Sequence, residues 1–151
     1  METPDNAPMQ PQVGACFRFE MPVRWGDLDA FGHVNNTVYF RYMEEARVNC
    51  MGAAGIGISG AGRALALAHT SCDFLRPIFW PATLQIEMCL QRVGRSSLEY
   101  VAELSILGDD AGPCMRARNV IVGTDPATGQ SMPWTAAELQ GLARAFASPK
   151  S

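Results

Sequence analysis

The chain has 151 residues, 48% of them hydrophobic, and a mean hydropathy near zero, enough for one well-buried core and too little for two ordinary domains. Its 12 basic and 15 acidic residues are spread along the sequence, so there is no basic footprint for a nucleic acid. A phosphorylated small molecule, which one or two arginines can hold, is not excluded by that charge.

The first stretch, "METPDNAPMQPQ", is polar and proline-rich, and residues 1–13 read as a disordered leader without an export signal. A single domain is expected over 14–151. No run approaches the roughly 18 apolar residues of a membrane span. Residues 15–24, "ACFRFEMPVR", alternate apolar and polar side chains, and Pro22 confines the end of that strand to an edge or a bulge. From Asn36 the period changes. Tyr39, Tyr42, Met43, Ala46 and Cys50 recur at helical spacing, which predicts an amphipathic helix of about four turns with one stripe to bury against a sheet.

The helix runs into "GAAGIGISGAG", which reads as a mobile loop. Its G-x-G-x-x-G string, Gly55, Gly57 and Gly60, follows a helix and precedes a strand, the reverse of the order a nucleotide-binding turn needs. Four strands are predicted next, at about 63–75, 82–94, 97–107 and 114–123, separated by turn signals short enough for antiparallel neighbours. "TAAELQGLARAFA" opens with Thr135 and Glu138 at capping-box spacing and predicts a short C-terminal helix. The sum is an α+β domain: a five-stranded antiparallel sheet curled around one helix. An unpaired edge strand is a liability in a monomer, so at least a dimer is expected.

The five cysteines, Cys16, Cys50, Cys72, Cys89 and Cys114, are odd in number and lack a C-x-x-C pair, which suits reduced thiols in a cytoplasmic chain. With only His33 and His69, far apart, no metal site is expected.

The polar groups concentrate in "GDLDAFGHVNN", residues 26–36, at the mouth of the long helix. A helix start offers free N–H groups and a partial positive charge, a ready site for an oxygen that gains negative charge. Asn35 or Asn36 would cap the helix, and Gly32 permits a sharp turn and close approach by a ligand. A carboxylate beside such a terminus fits acyl transfer, since it can attack a polarised carbonyl or activate a water. The same residues also make ordinary caps and Asx-turns. Asp27 reads as a turn-stabilising acid.

This stretch resembles the hotdog-fold acyl thioesterases, the 4-hydroxybenzoyl-CoA thioesterase and bacterial acyl-CoA thioesterase group, with a local likeness to plant acyl-ACP thioesterases. The likeness runs on through "CDFLRPIFWPATLQIEM", "VGRSSLEYVAEL" and "VIVGTDPATGQSMPW". It implies a hotdog fold and hydrolysis of an acyl-CoA, or of an acyl carrier protein thioester, without metal or cofactor. The family's catalytic aspartate falls on Asp29 and its carbonyl-holding backbone N–H on Asn36, helped by Thr37. A histidine implicated in the acyl-ACP enzymes falls on His33, but their asparagine position holds Phe31, and many bacterial relatives have histidine where Asn36 stands. For the nucleotide, Arg92, Arg95 and Ser96 are the anchors, with Arg76 behind them and a solvated role open for each. Phe31, Tyr39, Phe74, Phe79 and Trp80 could line an acyl tunnel. Glu44 matches an acid of the family's helix and reads as structural, pairing with Arg47 or across an interface, although one hotdog branch uses a helix glutamate for catalysis. The resemblance also implies a homodimer or dimer of dimers with the site between subunits. Two other readings compete. A hotdog hydratase places its acid and histidine in D-x-N-P-x-H, a spacing absent here, and a non-catalytic acyl-CoA binding module would use the same pocket.

Overall fold

The computed structural model describes residues 9–57 and 62–151. Most of the expected leader, and Gly60 of the glycine string, lie outside them. In chain order the elements are β1 (Cys16–Pro22), a 3-10 turn (Trp25–Asp27), α1 (Asn36–Ala53), β2 (Ala64–Phe74), β3 (Thr83–Val93), β4 (Ser97–Ile106), β5 (Met115–Thr124) and α2 (Ala136–Ala145). The strands form one antiparallel sheet in the order β1-β3-β4-β5-β2, and the long helix packs on one face, the hotdog arrangement.

Period decides the layers. All five residues of the predicted α1 stripe are buried, and alternate residues of β3, β4 and β5, among them Ile86, Leu90, Tyr100, Leu104 and Ile121, join them in one core. The other face of the sheet carries ion-pair rungs between neighbouring strands: Arg18 with Glu87 at 2.8 Å, Arg116 with Glu103 at 3.2 Å and Arg118 with Glu99 at 2.6 Å. α2 docks on the C-terminal end of α1. A Cβ on Gly141 would collide with the carbonyl of Ala54, so this approach requires glycine.

The two edges of the sheet differ. β1 is the edge strand that Pro22 foreshadows, and the C-terminal segment lies along it: Cys16 N–H donates to Ser148 O at 2.7 Å and Ser148 N–H returns a bond to Cys16 O at 3.1 Å. Ser151 adds two bonds, N–H and Oγ, to Glu87. β2 has no strand on its outer side among the described residues, and most of it is exposed.

One expectation is overturned. Cys16 and Cys89 stand directly opposite in the β1/β3 register, Cα atoms 4.1 Å apart, and are joined as a disulfide. Cys50, Cys72 and Cys114 are free. A separation of 73 residues hides that pairing from any local spacing rule. The thiol argument for a cytoplasmic chain falls with it, because disulfides persist in oxidising compartments. No helix of the described residues is long and apolar enough to cross a membrane.

Candidate active site

The segment between β1 and α1 folds into a narrow loop whose stem is the Leu28–Val34 bridge. Asp29 N–H donates to His33 O at 2.9 Å and Gly32 N–H to Asp29 O at 3.1 Å. That closure needs a left-handed residue at 32, which glycine supplies at φ +83°. Val34 N–H reaches Ile78 O at 2.8 Å, docking the loop on the segment between β2 and β3.

The two acids have different fates. Asp27 is tied down: its Oδ2 accepts from Arg24 N–H at 2.9 Å and from the Tyr42 hydroxyl at 2.6 Å. Among the described residues the Asp29 Oδ1 accepts only from Phe31 N–H, an Asx-turn at 2.9 Å, while its Oδ2 lies 3.8 Å from His33 Nδ1. Asp29 keeps 22% of its side-chain exposure and His33 38%, so both are reachable from solvent. The structure thus brings Asp29, Gly32 and His33 together, with Asp27 as a buttress.

At the helix mouth Asn35, not Asn36, is the cap. Its Oδ1 accepts from Thr37 N–H at 2.9 Å and from the Thr37 hydroxyl at 2.6 Å. Thr37 therefore has neither its amide nor its hydroxyl proton free to help with a carbonyl, which corrects that assignment. Asn36, first in the helix and exposed, presents an N–H with no partner among the described residues.

Large apolar side chains crowd this end. Phe31 is 85% exposed and stacks on His33 at 6.2 Å between centroids, Phe79 meets His33 edge-on at 6.3 Å, and Phe74 lies against Tyr39 and Phe40. Trp25, Leu75 and Trp80 are exposed as well. So many exposed apolar groups beside one loop make the kind of surface that ligand grooves and protein interfaces use. Tyr39 is itself buried in the core, leaving Phe31, Phe74, Phe79 and Trp80 as the accessible members of the expected tunnel.

The expected nucleotide anchors lie elsewhere. Arg92, Arg95 and Ser96 belong to the β3–β4 hairpin, at the other end of an 11-residue strand, roughly 35 Å along the sheet. Ser96 O is held by Gly123 N–H and Arg95 O by Trp134 N–H, whereas Arg92 and Arg95 are exposed and make no ion pair among the described residues. Arg76 is engaged with Asp109 at 3.3 Å and with Gly112 O. A cavity of about 350 Å³ also opens at this far end, lined by Glu44, Arg47, Met51, Arg63 and Leu65. Glu44 and Arg47 do not pair: the acid is exposed, and the arginine reaches the Tyr100 hydroxyl at 3.4 Å. One trio among the described residues is close enough to share a metal ion, Cys16, Glu87 and Cys89, but its sulfurs are bonded to each other and offer no thiolate.

Sequence reasoning missed Arg63. It grips Glu138 through two bonds of 2.6 and 2.7 Å, donates to the carbonyls of Met132 and Pro133, and covers the Trp134 ring at 4.8 Å. It ties the start of β2 to the cap of α2, and nothing local to "GAGRALA" signals it.

A hotdog sheet with an acid and a free N–H at the mouth of its helix defines the class. The family model described as the thioesterase-like superfamily matches residues 23–144, and the chain belongs to that superfamily. It is 30% identical over 125 residues to the uncharacterized protein YsmA of Bacillus subtilis, covering 82% of each chain. The solved structure of the PA2801 protein of Pseudomonas aeruginosa is 37% identical, superposes with a TM-score of 0.76, and matches 79% of this chain and 92% of its own. Acyl-acyl carrier protein thioesterase ATL2 of Arabidopsis thaliana is 38% identical over 69 residues, 44% of this chain and 37% of that one.

Proposed function

We propose that the chain hydrolyses an acyl-CoA thioester to the free acid and CoA. The observation that carries this reading is the contrast at the loop: Asp27 is held by two donors on one oxygen, one of them the Tyr42 hydroxyl from the core, whereas Asp29 has a single backbone donor and stands beside His33 at the mouth of α1. The Asn36 N–H holds the thioester oxygen as charge develops there. The Asp29 carboxylate either takes a proton from the water that attacks the carbonyl carbon, or attacks that carbon itself to give an anhydride that water then hydrolyses; in both routes the C–S bond breaks and the thiolate leaves. His33 orients the acid or shares the proton.

The site is completed by a second copy. β2 is the open edge, and two β2 strands paired antiparallel about a two-fold axis set the Asp29 end of one sheet against the hairpin end of the other. That arrangement supplies what one chain lacks, placing Arg92, Arg95, Ser96 and the Glu44–Arg47–Arg63 cavity of one protomer near the Asp29 of its partner, and it covers apolar surface around Phe74. The arginines then take the CoA phosphates.

The local similarity to an acyl carrier protein thioesterase favours a second carrier, a protein-bound acyl group. A panel of acyl-CoA and acyl carrier protein thioesters, read by released thiol, tests both. Binding without turnover across the panel would leave a non-catalytic ligand-binding module as the function.

A further inference from the structure

Asp27 joins three pieces of chain. Its Oδ2 takes the Arg24 amide at 2.9 Å, ending the approach from β1. The same oxygen takes the Tyr42 hydroxyl at 2.6 Å, from the second turn of α1. Its carbonyl accepts the Asn35 N–H at 3.0 Å, from the residue that caps that helix. Asp29 is two residues further along, and Asn36 is one residue beyond Asn35. The carboxylate and the N–H assigned to the reaction above are therefore hung on opposite sides of one hub.

Tyr42 reaches this hub from inside. Its side chain is 2% exposed and packs in the core, a role phenylalanine would fill equally well. What phenylalanine lacks is the hydroxyl, which spans from the helix to the loop. Burial, reinforced by the bond to Asp27 and by that acid's charge, holds the Tyr42 proton in place far above the ordinary tyrosine range, so the hydroxyl remains a donor well into alkaline solution.

We propose that Tyr42 and Asp27 are a positioning pair that fixes the Asp29 carboxylate in register with the Asn36 N–H. The proposal rests on the thioesterase reading and adds to it residues that touch no substrate. Asp27 acts as an acceptor here, one of its oxygens taking both hydrogen bonds. A misplacement near 1 Å at a reacting group can cost about 100-fold in rate, so the pair acts on turnover more than on binding.

The test is kinetic, on the full chain with the best thioester from the panel. Tyr42→Phe should lower kcat by about 10- to 100-fold while KM stays within about two-fold. Asp27→Ala should do the same. Asp27→Asn, whose amide oxygen still accepts from both donors, should restore kcat to within about three-fold of wild type, which a catalytic carboxylate could not survive. In an Asp29→Asn background Tyr42→Phe should have no further effect on kcat, because nothing remains to be positioned. Tyr42→Phe turning over near the wild-type rate while Asp29→Asn is slow would overturn the pair alone. So would equal fractional losses from Tyr42→Phe in both backgrounds, or an Asp27→Asn chain as slow as Asp27→Ala. A wild-type chain inert on the whole panel, or an Asp29→Asn chain as fast as wild type, overturns the thioesterase reading and the pair together.

Discussion

Two aspartates separated by one leucine meet different neighbours, and the proposed chemistry gives them different work. Asp29→Asn keeps the shape and the acceptor that closes the Asx-turn onto Phe31, so the protein should fold and still bind acyl-CoA. Its kcat should fall by about 10²–10⁴, the usual size of a general-base contribution, as measured by thiol release at saturating substrate. His33→Ala should cost less if the imidazole only orients Asp29, and as much if it carries the proton. The polar cluster, its glycine and its place before a helix were all legible in the residues. The family pattern singles out Asp29 for the proposed chemistry, whereas the different hydrogen-bond partners of Asp27 and Asp29 emerge only in the fold. Which asparagine caps was not, because Asn35 and Asn36 are chemically identical and only the backbone at the helix start decides between them.

At the level of elements, period and capping carried far. The α1 stripe, all five strands and the Thr135–Glu138 box stand within a few residues of where spacing puts them, since each is specified by neighbours in sequence. What spacing could not reach are contacts between distant elements. The Arg63–Glu138 clamp closes 75 residues, and it predicts a pH dependence. Burial alone would raise the Glu138 pKa, but the bonds from Arg63 and Thr135 outweigh it and hold the carboxyl below its ordinary 4.5. The folded form then gains stability above that unfolded value and loses it as pH falls through the lower folded one. Thermal midpoints should therefore drop below about pH 4.5, and Glu138→Gln should flatten that drop. The Cys16–Cys89 bond is the second long-range tie. Cys89→Ser, or reduction by a dithiol, should lower unfolding free energy by about 2–4 kcal/mol in denaturant titrations.

At the scale of the fold, one helix covers one face of the sheet, while among the described residues a row of aromatics and one strand edge stay open. Light scattering or sedimentation at micromolar concentration should give at least twice the 16.4 kDa chain mass, and a catalytically competent monomer would refute a site shared between subunits. The C-terminal segment lying on β1 bears on how such assembly ends. A sheet with two bare edges can add copies at both sides and grow into a fibre, each newcomer exposing a fresh edge. Here the strap on Cys16 occupies part of one side, and in the proposed dimer it would leave the sheet a valence of one, so that edge-to-edge growth would stop when two copies meet. Trimming residues 147–151 would return the second valence, and the same chain would be expected to elongate rather than close.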